Sequence, residues 1–449
     1  MPDPTQRKKI DDQSRKCALQ RQALGIDERI RMRTLRKGDR HVLLLSLAFA
    51  TSSLASNIIA PIWPLYIRFL GASVTQLGLV FSLSNGVSAI FQMMSGALSD
   101  KYGRRKLHVA GAVMAVLPPL MYSYAVNWTE LIPWVVLAGL APGIYVPMRY
   151  SIIADASTSE GLAKAYGWAN TGLLTGFVLG PLIGGAVADM FGIRAPFLLC
   201  FSFFLGSLAI TATIKETLKE RSKVTTPMDE FDASSFSRTV LTFSMVNIVQ
   251  GVGIGIFTPI SPIFAVAKFS VDMTMVGLMH AIGFGVSSLI VQVPGSKLAL
   301  LTGKRRMVLL TILLSAPFFA MFGWSETYIQ AVVLMFIGYA ILNASWPAFQ
   351  ALMMDLTPSH KWGLMNGISA ATWWFGSMIG AGLSGALWES FGIAAAYFFS
   401  AFGVVCSAVP AYFIREPRAT STPAEGYRSP AASSPRQVRR DHENRDEYE

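Results

Sequence analysis

Apolar residues along the chain gather into runs of about twenty, separated by short charged or turn-rich breaks. The runs fall at 41–66, 74–98, 106–126, 131–154, 163–188, 195–214, 239–265, 274–300, 307–325, 328–354, 363–388 and 391–414. At about 1.5 Å per helical residue, each can cross roughly 30 Å of hydrocarbon. The pattern predicts an all-α membrane protein with twelve transmembrane helices, in which the lipid bilayer is the solvent. Pro118, Pro142, Pro147, Pro181, Pro259, Pro262 and Pro347 lie within runs. Prolines are tolerated there when neighbouring helices satisfy the carbonyls they free.

Composition supports the same picture, with 52% hydrophobic and 14% charged residues. A soluble domain carries roughly 25% charge, and this chain has too little to cover a water-facing surface. Three cysteines exclude a disulfide scaffold: Cys17 sits in a basic tail, Cys200 and Cys406 inside apolar runs. The first forty residues lack an apolar core before a cleavage site, so the first spanning helix is expected to act as the insertion signal.

The net charge of +11 raises the question of nucleic acid, and its distribution answers against it. With both termini on the cytoplasmic side, the outer connections hold only Arg68, Arg194 and Lys268, while residues 1–40 hold twelve Lys and Arg. This is the positive-inside bias. It predicts a multi-pass protein of the cell membrane with both termini cytoplasmic, in contact with lipid and with no nucleic-acid partner.

The longest internal break, 215–238, divides six spans from six. Residues 163–200 align without a gap to 363–400, with nine identities that include Gly167/Gly367, Gly176/Gly376, Gly180/Gly380, Gly185/Gly385 and Phe191-Gly192-Ile193/Phe391-Gly392-Ile393. The same spacing pairs Pro147 with Pro347, Asp155 with Asp355 and Gly103-Arg104-Arg105 with Gly303-Lys304-Arg305. Composition alone would give two or three such identities, so the halves read as parallel repeats. The expected organisation is a basic cytoplasmic tail (1–40), two pseudo-symmetric six-helix bundles (41–214 and 239–414), a cytoplasmic linker (215–238) and a disordered cytoplasmic tail (415–449). Parallel halves of this kind place substrate near the midplane between them and rock to alternate its access.

Two stretches carry mechanism. Between spans two and three the chain reads Gly96-Ala-Leu-Ser-Asp100-Lys101-Tyr-Gly103-Arg104-Arg105-Lys106. Gly96 permits close helix approach and Gly103 a tight turn. Asp100 can accept hydrogen bonds from the start of another helix, and Arg104 can pair with a carboxylate, for which Asp155 is the candidate. The stretch reads as an inner-face gating latch, with Asp355 facing Lys304 or Arg305 in the second copy. Span five contains Gly176-Phe-Val-Leu-Gly180-Pro181-Leu-Ile-Gly184-Gly185. Glycines every fourth residue make a flat face for close packing, Pro181 bends the helix, and the seam is expected where the halves rock.

On these two stretches the chain resembles the major facilitator superfamily over residues 41–414. Gly96–Lys106 is similar to that superfamily's signature loop, and Gly176–Gly185 to the span-five motif of twelve-span drug:proton antiporters. The resemblance implies the major facilitator fold and alternating access. It also implies efflux of small organic or drug-like compounds, coupled to protons. Those antiporters carry an arginine in mid span four where this chain has Gly139; Arg149 lies nearer the cytoplasmic end.

Ionisable groups inside a membrane are functional candidates by default. Spans one, two, seven, eight, ten and eleven hold no Asp or Glu away from their ends. The candidates for proton coupling or an anionic substrate are therefore His280, about two turns into span eight, and Arg149; each also has a structural reading, as a hydrogen-bonded histidine or a snorkelling arginine. Residues able to line a central cavity are Asn57, Asn85, Asn170, Asn247, Gln250, Asn343, Trp346, Gln350, Trp373 and Trp374, or else they glue helices together. There is no nucleotide loop, metal-ligand cluster or catalytic triad pattern, so neither an enzyme nor a cofactor is expected. An importer or facilitator of a metabolite such as an organic anion, and a non-transporting receptor or lipid-handling protein on the same fold, remain open alternatives.

Overall fold

The computed structural model describes residues 43–156, 162–213, 233–358 and 361–414. The expected tails 1–40 and 415–449, and the linker as far as residue 232, lie outside the described residues.

Among the described residues every regular element is helical. Span one is α1 (Leu43–Ile59) followed by α2 (Trp63–Phe69). Spans two to six are α3 (Val74–Tyr102), α4 (Arg104–Tyr124), α5 (Ile132–Ala156), α6 (Leu162–Phe191) and α7 (Ala195–Ala212). Spans seven and eight are α8 (Ala233–Phe269) and α9 (Met273–His280), the latter joined by a π turn (Ala281–Val286) to α10 (Ser287–Thr302). The remaining spans are α11 (Lys304–Phe322), α12 and α13 (Tyr328–Ala344, Trp346–Asp355), α14 (Trp362–Phe391), and α15 and α16 (Ile393–Cys406, Ala408–Tyr412). Ten of these passages are long and apolar enough to cross a membrane, eleven with the bent pair α1–α2. Helix α14 equals α6 in length, at 30 residues, though diluted by Gly, Ser and Trp; with it the passages among the described residues number twelve.

Several runs that read as single helices are broken. Helices α1 and α2 meet at a bend of 40°. Pro61 lacks an N–H and its ring clashes with the preceding turn, while Pro64 sits in the first turn of α2, where a missing N–H costs nothing. Span ten breaks at Ser345, whose hydroxyl donates to the Leu342 carbonyl at 3.0 Å just ahead of Pro347. Tyr145 stands at the equivalent place in the first half, and α5 runs on through Pro147. In span eight the π turn leaves carbonyls unmatched, and Ser287 and Ser288 donate to those of Gly283 and Phe284 at 2.7 and 2.6 Å. Helix α8 starts at Ala233, inside the expected 215–238 linker, and Phe236 lies under the Lys361 ammonium at 4.4 Å.

Packing repeats between the halves. Tyr66 and Phe197 meet at 4.5 Å, and Tyr122 and Phe197 at 6.0 Å, between ring centroids. About two hundred residues on, Phe264 meets Tyr397 at 5.5 Å, and Phe322 meets Tyr397 at 5.0 Å. Both aromatic knots sit at the end of the bundle opposite the first and last described residues, Leu43 and Ile414; it is the far end, and the other the termini end. There, Leu65, Tyr66, Leu77 and Phe197 of the first half join Ile256, Ile260 and Phe264 of the second in one buried cluster. Nearer the termini the clusters separate: Leu45, Phe49, Ile152 and Ala165 belong to the first half, and Ala299, Met307 and Ala348 to the second. Leu198, Leu205, Leu313, Phe398 and Phe402 point outwards and are exposed, as side chains in contact with acyl chains must be.

Candidate functional site

The two basic turns at the termini end have one geometry. Gly103 and Gly303 adopt φ of 90° and 89°, a region open to glycine at little cost, so each chain reverses sharply into α4 or α11. Arg105 then donates to the Ala212 carbonyl at 3.1 Å, and Arg305 to that of Tyr412, its guanidinium 4.8 Å from the Tyr412 ring centre. Each arginine thus satisfies a carbonyl at the end of its half's last span, where the helix dipole favours a cation. Of the two partners considered for Asp355, Lys304 makes the ion pair, while Arg305 turns away to Tyr412. The pair lies within the second half and is 31% and 42% exposed, so it contributes about 1 kcal/mol or less. Arg104 opens α4. The side chains of Gly96, Asp100, Arg149 and Asp155 lie outside the described residues.

The span-five motif divides between two partners, which corrects the expectation of one rocking seam. A Cβ on Gly176 would meet Ser53 at 2.2 Å, one on Gly180 would meet Asn57 at 2.5 Å, and one on Gly184 would meet the Ile58 carbonyl at 1.9 Å. These three glycines therefore pack α6 against α1, inside the first half. The next residue lies about 100° around the helix and faces the other half: a Cβ on Gly185 would sit 2.3 Å from the Met273 carbonyl. Pro181 shares that face, its carbonyl 2.1 Å from where a Gly277 Cβ would be. The second half repeats the division. Gly376 and Gly380 pack against Ile248 and Val252 of α8, while Gly385 meets Val74 and Thr75 of α3.

Among the described residues the halves are joined chiefly by α3 with α14 and by α6 with α9 and the π turn, with α2 and α3 also touching α8. Asn85 donates to Ser377 at 3.0 Å across the first, and Asn170 to Gln292 at 3.3 Å across the second. Phe177 and Phe284 meet at 5.1 Å in between. Towards the termini end the seam-facing side of α6 and α14 is uncovered: a Cβ on Gly167, Gly363 or Gly367 would meet nothing within 4 Å. The seam is closed at the far end and parted at the termini end.

The other polar candidates scatter around this seam. Asn57 donates to the Ser53 carbonyl of its own helix at 2.8 Å. Asn247 binds Ser369 and Asn343 binds Ser288, both at 2.8 Å and both within the second half. His280 ends α9 directly before the π turn, with Nδ1 3.0 Å from the Val276 carbonyl and Nε2 3.4 Å from Ser261 Oγ. Trp346 is half-exposed and stacks on Phe349 at 6.3 Å. Trp373 packs against the joint core, Trp374 and Gln250 are half-buried, and Gln350 Oε1 is buried without a hydrogen-bond partner. Of these polar candidates, among the described residues, only Asn85 and Asn170 bridge the halves. Among the described residues the acidic side chains stand at helix ends or in turns, as with Glu130, Asp189, Asp272, Glu326, Asp355 and Glu389.

A helical chain of twelve passes, folded as two repeats around a seam closed at one end, has the form of a membrane transporter. The family profile described as Major Facilitator Superfamily matches residues 45–247 and again 243–442. The chain belongs to the Major Facilitator Superfamily. It is 26% identical over 381 residues to an MFS-type transporter of Methanocaldococcus jannaschii, covering 82% of this chain and 97% of that one. It is 25% identical over 399 residues to the multidrug resistance protein MdtG of Serratia proteamaculans (85% and 95%). With the multi-drug resistance efflux pump PmrA of Streptococcus pneumoniae it shares 24% over 370 residues (78% and 90%). Among solved structures, a D-xylose-proton symporter superposes with a TM-score of 0.68 at 16% identity, over 86% of this chain and 98% of that one. The human organic anion transporter MFSD10 gives 0.62 at 16% identity, over 83% and 99%.

Proposed function

We propose that this transporter exports small organic, drug-like compounds by alternating access, driven by proton entry. The observation that carries the reading is the one-sided seam. With the termini in the cytoplasm, as the basic tail favours, the parted end admits cargo from inside and the closed far end holds it back from outside. The resemblance to the MdtG and PmrA efflux proteins gives the class of cargo. The two bundles 41–214 and 239–414 rock about α3–α14 and α6–α9, and the Gly96–Lys106 stretch with Asp155 closes the inner face in the opposite phase. Asn57, Asn170, Gln250, Asn343, Trp346 and Trp373 contribute polar and aromatic contacts to an amphipathic cargo, and Arg149 attracts an anionic group on it. In the absence of a buried carboxylate among the described side chains, His280 is the proton carrier; its imidazole is held between the Val276 carbonyl and the Ser261 hydroxyl, next to the π turn.

Purified protein in liposomes with an imposed pH gradient and a panel of fluorescent organic cations, anions and neutral amphiphiles tests this. Uphill movement of a compound against the proton gradient is the expected result. Equilibration that ignores the gradient overturns antiport in favour of a facilitator, and no flux for any compound overturns transport of this cargo class.

A further inference from the structure

Two carboxylates outside every motif above cross the seam at the far end. Glu389 stands in the last turn of α14, three residues before Gly392. Its carboxylate accepts from the Val74 and Thr75 backbone N–H groups at 3.0 and 3.3 Å and from the Thr75 hydroxyl at 2.6 Å. Asp189 stands in the last turn of α6, three residues before Gly192. It accepts from the Met273 and Thr274 N–H groups at 3.1 and 2.7 Å and from the Thr274 hydroxyl at 2.5 Å. The two clamps share the near-constant spacing of the repeat: 189 with 389, 273 with 74, 274 with 75.

Local preference does not put these acids where they are. A carboxylate in a helix's last turn opposes that helix's own dipole, and here it happens twice. The account lies at the partner helix. The first N–H groups of a helix have no partner within it. In α3, Ser73 accepts from Gln76 N–H at 3.1 Å, leaving those of Val74 and Thr75, which Glu389 takes. In α9, Asp272 accepts from Met275 N–H at 2.8 Å, leaving those of Met273 and Thr274, which Asp189 takes. Each half thereby completes a helix start in the other. Arg68 adds its positive field at Glu389.

We propose that Asp189 and Glu389 are paired far-face latches of the transport cycle, locked onto the partner helix while the far end is closed and released each time it opens. They are positioning residues, and the inference depends neither on the cargo nor on the coupling ion. The two latches hold opposite edges of one seam, so release of both is needed for the halves to part.

A reporter cysteine, Ser82→Cys, tests the proposal. Ser82 lies eight residues into the seam on α3, facing Gly382 of α14. The background carries Ala for Cys17, Cys200 and Cys406. In sealed vesicles sorted by the accessibility of a C-terminal tag, a membrane-impermeant maleimide is applied to the face opposite the termini. The parent labels slowly. Asp189→Asn with Glu389→Gln is expected to label about tenfold faster, and each change alone about threefold, since charge-assisted hydrogen bonds at an exposed rim are partly screened. Asp189→Glu with Glu389→Asp keeps both charges and is expected to restore most of the slow labelling. Unchanged labelling in a double variant that elutes as folded protein overturns the proposal, as does equal acceleration by the charge-keeping pair. If the double variant does not fold, the singles decide: acceleration in either supports the latch, and acceleration in neither overturns it.

Discussion

The two halves place the same glycines at the same turns: Gly103 and Gly303 with φ of 90° and 89°, Gly192 and Gly392 with φ of 89° and 83°. They repeat the aromatic knot, the arginine on the last carbonyl of the bundle and the carboxylate that crosses the far seam. Regularity of the helices is what they do not share. Spans two and four run unbroken through the first half. Their counterparts carry a π turn behind His280 and a break at Ser345. The repeated features are those that join elements, so both halves need them to assemble. The first half has one break of its own, the bend between α1 and α2, where α8 runs unbroken through Pro259 and Pro262; the breaks of spans eight and ten lie beside Ser288 and Asn343, where irregular backbone is tolerated only when buried in protein or lining a cavity. That difference gives the second half the role of cargo and proton handling in the proposed cycle, and the first half, with the full Gly96–Lys106 stretch, that of gating.

The comparison can be broken most severely at the packed glycines. Gly184→Ala drives a Cβ to 1.9 Å from the Ile58 carbonyl, and Gly380→Ala drives one to 2.1 Å from that of Val252. Each is expected to cost about 3 kcal/mol through overpacking against backbone, read as a clear fall in the unfolding temperature in detergent. A loss in one half alone would show that the repeated seams are not equivalent.

Acid sharpens the contrast between the two far-face clamps at an intermediate level. In the closed state the Thr75 hydroxyl bond, helped by the Thr75 and Val74 N–H groups and by Arg68, holds the Glu389 carboxyl below its ordinary value of 4.5 despite partial burial. A depressed value in the closed form means that the latch contributes fully above about pH 4.5 and is lost as the pH falls through the lowered value. The separation of spin labels on the far ends of α3 and α14 is therefore expected to stay constant from about pH 7 to pH 5 and to widen only below about 4.5. Widening that is complete at pH 6 would remove Glu389 as its cause.

The smallest effect is expected where the seam is open. Gly167→Ala and Gly367→Ala add a methyl that meets nothing within 4 Å, and the gain in helix propensity is about 0.5–1 kcal/mol. Both should leave the unfolding temperature equal or slightly higher. A marked fall in either would show that this end packs against a neighbour.

The sequence by itself determined the class. Blocks of twenty apolar residues have no use except to cross lipid, and a repeat near two hundred residues fixes two halves. Gly103 and Gly303 were legible as turns because positive φ is cheap only for glycine. The identity of partners was not legible. Spacing every fourth residue marks Gly176, Gly180 and Gly184 as one face, but a face carries no label for what it meets. Only the fold sends that face to α1 and the adjacent Gly185, a single residue on and about 100° around, to the other half. Asp189 and Glu389 carry no mark in the sequence for the same reason: an acid near a helix end is an ordinary sight at a membrane edge. Its meaning comes from the two orphaned N–H groups of a helix some eighty or three hundred residues away, and only tertiary structure brings those within hydrogen-bond reach, 2.7 to 3.3 Å.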